Sequence, residues 1–252
     1  MVRSTIASFK GDDAKVLVQI LNFLSKISPY AKIMKGGGTD ITIYAVARSE
    51  LAAALIRLLY AADGDSVLDG LFKVAMLPAL LKRIIPVEVT ITGEGLTITA
   101  LHKSTRGEVR LELGWLDIDY PPPPPLKASY DCIIDMSKEE LCNAFDLFAL
   151  SCLDDVEFIV DREGLYLRGI GTGITLSINL RNELSLGMRD SITICIPSVY
   201  AKLMRLASTL LEDTRIYFGR KAPLIVSGRL PLELPSIFYL IISSRASSSG
   251  RH

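Results

Sequence analysis

Residues 114–131, GWLDIDYPPPPPLKASYD, divide the chain near its middle. The five consecutive prolines, Pro121 to Pro125, cannot donate backbone hydrogen bonds, so this stretch fits neither a helix nor a central strand. A proline run favours an extended polyproline helix and behaves as a semi-rigid spacer. The stretch therefore predicts a connector between two domains, and 252 residues are enough for two domains of roughly 100–200 residues each.

The segments on the two sides of this connector resemble each other. Residues 12–27 and 137–152 each place apolar side chains on one helical face, and Ser137 with Glu140 forms a capping box. Each of these helices precedes a strand, a turn rich in glycine or charge, and a second strand with alternating apolar residues. A second helix in each half is predicted over residues 75–85 and 198–211, with short strands after it.

This repetition predicts an internal duplication of one α+β unit, with copies offset by about 124–128 residues. Strands with one buried face and hairpin turns favour antiparallel sheets, with the two helices of each unit packed on one side. The expected organisation is an N-terminal domain of residues 1–115, a connector of residues 116–127, a C-terminal domain of residues 128–246 and a disordered tail of residues 247–252.

Composition and charge exclude several classes of protein. The chain has 28 Lys+Arg and 28 Asp+Glu, and this zero net charge argues against a nucleic-acid binder that relies on bulk positive charge. An apolar fraction of 49% excludes a disordered chain. No apolar run reaches the ~18 residues of a membrane helix, and the first residues lack the layout of a signal peptide. We therefore expect a cytoplasmic protein.

The sequence offers no catalytic or metal-binding constellation. Its cysteines form no CxxC pair, lie in apolar segments typical of small buried hydrophobes and, with two histidines, make no zinc site. A Ser–His–Asp arrangement would depend on a histidine that we interpret as a surface residue at a strand end, and no GxxxxGK[ST] phosphate loop is present. We expect no enzyme, no catalytic residue, no cofactor and no metal. The residues considered are Cys132, Cys142, Cys152, Cys195, His102 and His252.

Four segments, taken in order and with their spacings, resemble the sliding clamps of the proliferating cell nuclear antigen (PCNA) family. Residues 38–58, GTDITIYAVARSELAAALIRL, resemble its first-domain motif, and residues 115–134 resemble its interdomain connector. Residues 154–178, DDVEFIVDREGLYLRGIGTGITLSI, resemble the matching second-domain segment. Residues 222–230 and 237–245 resemble the closing strands, so the likeness runs essentially from end to end.

The chain departs from that family at three points. Ala47 stands where the first-domain motif carries an Asp, Ser243-Ser244 replaces a C-terminal Ala-Pro, and the chain is neutral where family members are clearly acidic. These departures leave the fold unaffected but put partner binding in doubt. They suggest a diverged subunit of the kind found in archaeal clamps built from non-identical chains.

The resemblance implies a DNA clamp fold in which three two-domain subunits form a ring around duplex DNA and tether a polymerase to it. Such a ring must hold DNA without gripping it, through Lys and Arg side chains that face phosphates without reading bases. The implied DNA-facing residues are Lys10, Lys15, Lys73, Lys82, Arg83, Lys202, Arg205, Arg220 and Lys221.

The resemblance also implies a pocket beneath the connector that takes short docking motifs of DNA polymerase, clamp loader, flap endonuclease and DNA ligase. Matched by motif position, its residues are Val46, Glu50, Leu51, Ala53, Leu116, Ile118, Tyr120, Pro121, Leu126, Pro223, Ile242 and Ser243. Subunits of a homo- or heterotrimer would join through an edge strand of each domain, at Val109, Leu111, Leu113, Ile174, Leu176 and Ile178.

Three interpretations of the sequence stay open. The first is a processivity clamp in replication or repair, a binding scaffold without chemistry of its own. The second is a checkpoint-type clamp paralogue, whose members tend to carry longer insertions than this chain has. The third is an enzyme on a duplicated α+β scaffold, which the missing catalytic constellation disfavours.

Overall fold

The computed structural model describes residues 5–36, 40–49, 51–60, 67–126, 129–150, 153–162, 164–182, 191–220 and 222–243. The chain divides into two compact units. Unit 1 comprises Met1–Arg48, Ala53–Pro123 and Arg229–Phe238, and unit 2 comprises Ser49–Ala52, Pro124–Gly228 and Tyr239–His252. One passage between the units falls between Pro123 and Pro124, within the proline run.

The first half of the chain has the order strand, helix, four strands, helix and three strands in its described residues. Its elements are β1 (Thr5–Lys10), α1 (Gly11–Ile27), β2 (Tyr30–Lys35), β3 (Asp40–Val46), β4 (Ala52–Leu59), β5 (Leu68–Lys73), α2 (Leu77–Leu81), β6 (Ile84–Thr92), β7 (Gly95–His102) and β8 (Glu108–Gly114).

The second half repeats this order in its described residues. Its elements are β9 (Cys132–Met136), α3 (Lys138–Leu150), β10 (Asp155–Val160), β11 (Gly164–Gly171), β12 (Ile174–Asn182), β13 (Ile192–Pro197), α4 (Ser198–Leu210), β14 (Thr214–Phe218), β15 (Leu224–Gly228) and β16 (Ser236–Ile242). The predicted internal duplication is therefore present in the order of the elements.

The strand pairing repeats as well. In the first half the strand orders are β1-β6-β7-β8 and β5-β2-β3-β4, with antiparallel neighbours. In the second half they are β9-β14-β15-β16 and β13-β10-β11-β12. Each order in the second half is obtained from the first by adding eight to every strand number. Strands β8 and β12 each stand at the end of their four-stranded sheet.

Helix α1 forms because its apolar residues recur at helical spacing. Leu17, Ile20, Leu21 and Leu24 are fully buried, and the helix packs on β1, β6, β2 and β3. The carboxylates in its first turn suit the positive end of the helix dipole. Burial of each large aliphatic side chain contributes about 1.5–3 kcal/mol, so this one face anchors the core of unit 1.

Helix α3 begins with the capping box that the sequence predicts. The Ser137 N–H donates to Glu140 Oε2 at 2.7 Å, and the Glu140 N–H donates to Ser137 Oγ at 3.2 Å. The helix packs against α4, where Arg205 Nε donates to Asp146. Phe145 and Phe148 are buried in the core of unit 2. The capping box therefore fixes where the helix begins.

The second helix of the first half is much shorter than predicted. The prediction of a helix over residues 75–85 is wrong, because α2 covers only Leu77–Leu81, and Ile84 and Ile85 belong to β6. Pro78 lies in the first turn, where it is tolerated. Pro86 disfavours a helical conformation at the preceding residue, and β-branched Ile84 and Ile85 favour a strand.

In the glycine-rich stretch of residues 169–173, the turn is confined to Thr172–Gly173. Gly173 has φ +74° in the hairpin between β11 and β12, a conformation that favours glycine. Gly169 and Gly171 lie within β11. A side chain at Gly169 would clash with Leu153 and Phe148, so this glycine permits close packing against the strand.

The cysteines only partly match their predicted burial. Cys132 is buried, whereas Cys142 and Cys195 are half-buried, and Cys152 lies outside the described residues. No helix in the described ranges combines the length and the apolar character needed to cross a membrane.

Candidate nucleic-acid and partner interfaces

The connector is held to unit 1 by the hydroxyl of Tyr120. It accepts a hydrogen bond from the Val46 N–H at 2.8 Å and lies 3.2 Å from both Ser28 Oγ and the Tyr30 carbonyl oxygen. The ring of Tyr120 packs against Tyr44, with ring centroids 5.9 Å apart. Burial, helped by nearby Asp69 and Tyr120, raises the pKa of Tyr44 to about 12. Tyr120 is thus an anchor of the connector, with its polar group already engaged.

The start of the connector is fixed by Trp115. Its ring packs on Gly70 and lies edge-on to Phe72 with ring centroids 5.9 Å apart, and its Nε1 donates to the Gly93 carbonyl at 3.0 Å. The next residue, Leu116, donates its N–H to the Leu71 carbonyl at 2.7 Å. A side chain at Gly70 would overlap the indole ring, so glycine is required there.

The predicted pocket residues of unit 1 differ in their exposure. Val46 and Ala53 are buried, and Tyr120 is half-buried. Leu116, Ile118 and Pro121 are exposed, Ile118 at 53%. The exposed connector side chains could contact a partner directly, whereas the buried pair supports the strands behind them.

The predicted pocket residues of unit 2 are mostly half-buried. Leu51, Leu126, Pro223 and Ser243 are of intermediate exposure, and Ile242 is fully buried. The Ser243 N–H donates to the Leu51 carbonyl at 2.8 Å, so these two positions are adjacent. Glu50 lies outside the described residues.

Unit 1 also has a groove that the sequence did not predict. It is an open depression of about 520 Å³ on the outer face of β2, β3 and β4, next to the connector. Arg57 and Asp40 supply its charges, and Met34 is 39% exposed. The alternation of β2 carries a signal for this face, but the sequence does not show that the connector borders it. The lining residues are Met34, Gly36, Asp40, Thr42, Leu55, Arg57 and Pro123.

Several of the predicted DNA-facing cations are paired with carboxylates. Lys10 Nζ lies 3.6 Å from Glu88, and Lys15 Nζ lies 2.6 Å from Asp12. Arg205 forms an ion pair with Asp146 across α3 and α4. Neutralised in this way, these side chains attract phosphate less strongly than free cations do. Lys221 lies outside the described residues, and Arg220 donates its N–H to Asp131 at 2.9 Å.

Other predicted cations have no carboxylate at ion-pair distance within the described ranges. They are Lys73 at the end of β5, Lys82 and Arg83 after α2, and Lys202 on α4. All four are exposed. The structure brings Lys103 next to Arg83, since the Lys103 N–H donates to the Arg83 carbonyl at 2.8 Å. Sequence reasoning missed Lys103 because it is far from α2 along the chain.

The predicted subunit edges are the end strands of two sheets. On β8, Val109 and Leu111 are half-buried and Leu113 is buried. On β12, Ile174 is 46% exposed, and Leu176 and Ile178 are half-buried. Both strands thus carry a row of incompletely buried aliphatic side chains beside a backbone edge that could pair with another strand.

No protein-family model matches the chain, and no curated protein matches it significantly in sequence. A solved structure does match, the proliferating cellular nuclear antigen from Entamoeba histolytica. It superimposes with a TM-score of 0.75 over 97% of this chain and 100% of that chain, at 12% sequence identity. The chain has the sliding-clamp fold of PCNA. The predicted fold class, α+β with helices packed on antiparallel sheets, is confirmed.

At 12% identity the clamp fold is shared, while side chains differ at most positions. The similarity therefore concerns the arrangement of helices and sheets. The DNA-facing, pocket and interface residues stay predictions. In the described part of the chain, no cluster of His, Cys, Asp or Glu could hold a metal ion.

Proposed function

We propose that this chain is a subunit of a sliding clamp, which closes into a trimeric ring around duplex DNA and tethers DNA polymerase and other replication or repair enzymes. The observation that carries the proposal is the duplication of the clamp fold, with the same strand orders in both halves of the chain. In these strand orders β8 and β12 are the end strands of their sheets, and each carries a row of half-buried aliphatic side chains. A binding scaffold of this kind needs no catalytic residue.

The duplication itself suggests how the ring closes. In unit 1 the outer neighbour of β4 is formed by Ser236–Phe238 of β16, and the Leu59 N–H donates to the Pro235 carbonyl at 2.9 Å. Strand β12 is the copy of β4, and β8 is the copy of β16. Pairing of β12 with β8 of a second chain would repeat the same junction, and it would cover both exposed edges at once.

Light scattering during size-exclusion chromatography tests the assembly. A homotrimer has three times the 27.6 kDa mass of the chain. A monomer that trimerises only with two related chains would instead support a heterotrimer of the archaeal type. A monomer that stays monomeric at micromolar concentration, alone and with such chains, would contradict the ring.

The exposed connector residues support docking of short partner motifs. Leu116, Ile118 and Pro121 present apolar surface, and the prolines pre-order the connector, which lowers the entropy lost on binding. Polymerase, clamp loader, flap endonuclease and ligase are the proposed partners, and the proposed location is the cytoplasm, on the nucleoid. Replacing the five prolines with Gly-Ser should weaken a docking peptide from such a partner, and unchanged affinity by calorimetry would count against this site.

The alternatives predict different behaviour. A checkpoint-type paralogue would form the same ring but respond to a different loader and different partners. An enzyme on this scaffold would need a nucleophile, a base and a group that orients the base in one place.

A further inference from the structure

The five prolines of the connector, which we call the proline run, are exposed over most of their length. The exposed members are Pro121, Pro122 and Pro125. The run follows Tyr120 directly, whose hydroxyl accepts a hydrogen bond from the Val46 N–H and whose ring packs on Tyr44. The proline run therefore starts from a fixed point on unit 1 and presents pyrrolidine rings to solvent.

Proline geometry restricts the backbone of the run to one conformation. The ring of each proline fixes φ at about −65°, and the residue before a proline is kept in the extended region. Residues 121–124 are subject to both restrictions, because each is a proline that precedes another proline. Residues 117–126, all of which the structure describes, belong to no helix or strand. The two restrictions together favour a polyproline II helix, which has three residues per turn.

The exposure of the prolines follows this period of three. In a polyproline II helix, residues that are three apart lie on the same edge. Pro122 and Pro125 share one edge, and both are exposed. Pro123 and Leu126 share another edge, and both are half-buried, with Pro123 lining the groove of unit 1. One edge of the proline run therefore lies against the protein, and another faces solvent.

The backbone of the proline run offers hydrogen-bond acceptors without donors. Its five residues have carbonyl oxygens but no N–H. A partner segment cannot extend a sheet along the run, since a ladder needs N–H donors from both strands. A partner must instead supply the donors, together with flat apolar surfaces on which pyrrolidine rings can pack. Trp and Tyr side chains provide both in one group.

We propose that the solvent-facing edge of the proline run is a ligand for a partner domain whose groove is lined by aromatic side chains. Grooves of this kind bind preformed polyproline II segments, and a segment that is already extended loses little entropy on binding. The inference goes beyond the proposed function. There the partner supplies a short segment and this chain supplies the pocket, whereas here this chain supplies the segment and the partner supplies the groove.

The residues before the proline run determine which charge the partner's groove carries. Asp117 and Asp119 are exposed, and neither has a cation at ion-pair distance among the residues that the structure describes. Residues 115–126 contain these two carboxylates and no Lys or Arg. Lys or Arg at the rim of the partner's groove would complement this negative charge. The partner is therefore a domain with an aromatic groove and a basic rim.

The test uses the full chain and an isolated WW domain that binds decaproline and carries Lys or Arg beside its groove. Calorimetry compares wild type with Pro122→Ala on the solvent-facing edge and with the matched control, Pro123→Ala, on the edge against the protein. Each substitution loosens the run at a cost of about 2–5-fold in affinity, but only Pro122→Ala also removes a contact with the groove. We expect the Pro122→Ala chain to bind at least ~5-fold more weakly than the Pro123→Ala chain. Equal affinities of the two variants, or no binding by wild type, would overturn the inference.

Two further measurements separate this inference from its alternatives. A second decaproline-binding WW domain, with Asp or Glu at its rim, should bind the chain more weakly at low salt, and tighter binding would overturn the basic rim. Light scattering separates the inference from the ring. A trimer that binds neither WW domain would overturn the inference and leave the proposed ring intact, and a monomer that binds the basic one would do the reverse. Loss of the trimer in the Pro122→Ala chain would assign this edge to a contact between copies and contradict the inference.

Discussion

At the scale of single residues, Tyr120 and Tyr130 provide a matched pair. The Tyr120 hydroxyl satisfies the Val46 N–H and lies within hydrogen-bond distance of Ser28 and Tyr30. The Tyr130 hydroxyl is buried without a hydrogen-bond partner in the described structure. A buried donor without an acceptor is costly. The Tyr120 hydroxyl therefore stabilises its unit, whereas the Tyr130 hydroxyl contributes little to stability or opposes folding.

We predict that Tyr120→Phe lowers the free energy of unfolding by about 1–2 kcal/mol, because it leaves the Val46 N–H without its acceptor. Tyr130→Phe, the control, should leave stability unchanged or raise it slightly. Urea denaturation of both variants measures the difference. Equal destabilisation by the two substitutions would show that the Tyr120 hydrogen bonds do not hold the connector.

The raised pKa of the Cys132 thiol predicts how the stability of the protein changes at alkaline pH. Burial, with a smaller effect of the neighbouring Asp131 charge, raises the pKa of its thiol from 9.0 to about 11. Between these values the unfolded chain releases the proton and the folded chain keeps it, so the stability from this group is complete below pH 9 and is lost as pH rises towards 11. In this range the thiol makes the free energy of unfolding fall by up to about 1.4 kcal/mol per pH unit.

Denaturation of wild type and Cys132→Ala between pH 8 and pH 11 isolates this contribution. The wild-type free energy of unfolding should fall more steeply with pH than that of the variant, whatever their difference at pH 8. Parallel curves for wild type and Cys132→Ala would contradict the assignment.

At the scale of elements, the duplication gives a register for the proposed junction between chains. Leu59 and Pro235 fix how β4 meets the start of β16 in unit 1. We align Val109, Leu111 and Leu113 of β8 with the buried Phe238, Leu240 and Ile242 of β16, because both sets are the alternating, less exposed residues of their strands. When the register of β4 and β16 is applied to β12 and β8 of two chains, Leu111 lies opposite Leu176. The two residues then form a non-hydrogen-bonded pair, in which the Cβ atoms are close enough for a disulfide.

We predict that a chain carrying Leu111→Cys and Leu176→Cys forms intermolecular disulfides under mild oxidation, giving dimers and trimers on non-reducing gels. The control carries Leu111→Cys with Ser177→Cys, which turns the second thiol to the other face of the strand. The native Cys132, Cys142, Cys152 and Cys195 are first replaced by Ala. Cross-linking of the control as efficient as that of the test pair would reject this register.

The sequence predicted elements best where periodicity was strong and local. The faces of α1, α3 and α4 and the alternation of β11 appear where they were expected, because the pattern alone decides which face is buried. The alternation expected for β3 is wrong at its end, where residues 43–46 are all buried. Helix α2 was too long in the prediction because the apolar run continues into β6, where β-branching and Pro86 decide the conformation. Strand β5 was not predicted.

At the scale of the whole molecule, the duplication and the clamp fold were predictable because they depend on the order of elements, which survives when individual residues change. The candidate site was less predictable, because it depends on partners distant in sequence. Pairing of Lys15 with Asp12 could be read from a three-residue spacing, but pairing of Arg205 with Asp146 could not. Nor could the contact that brings Lys103 to Arg83.

The central claim is that a ring containing this chain closes around duplex DNA, and a topological trap tests it most directly. The Leu111→Cys, Leu176→Cys chain is mixed with a closed circular plasmid, oxidised and then denatured in detergent. We predict that part of the plasmid retains protein through denaturation and loses it when a restriction enzyme cuts the circle. Covalent trimers that form without any plasmid retaining protein, or retention that survives linearisation, would contradict the ring.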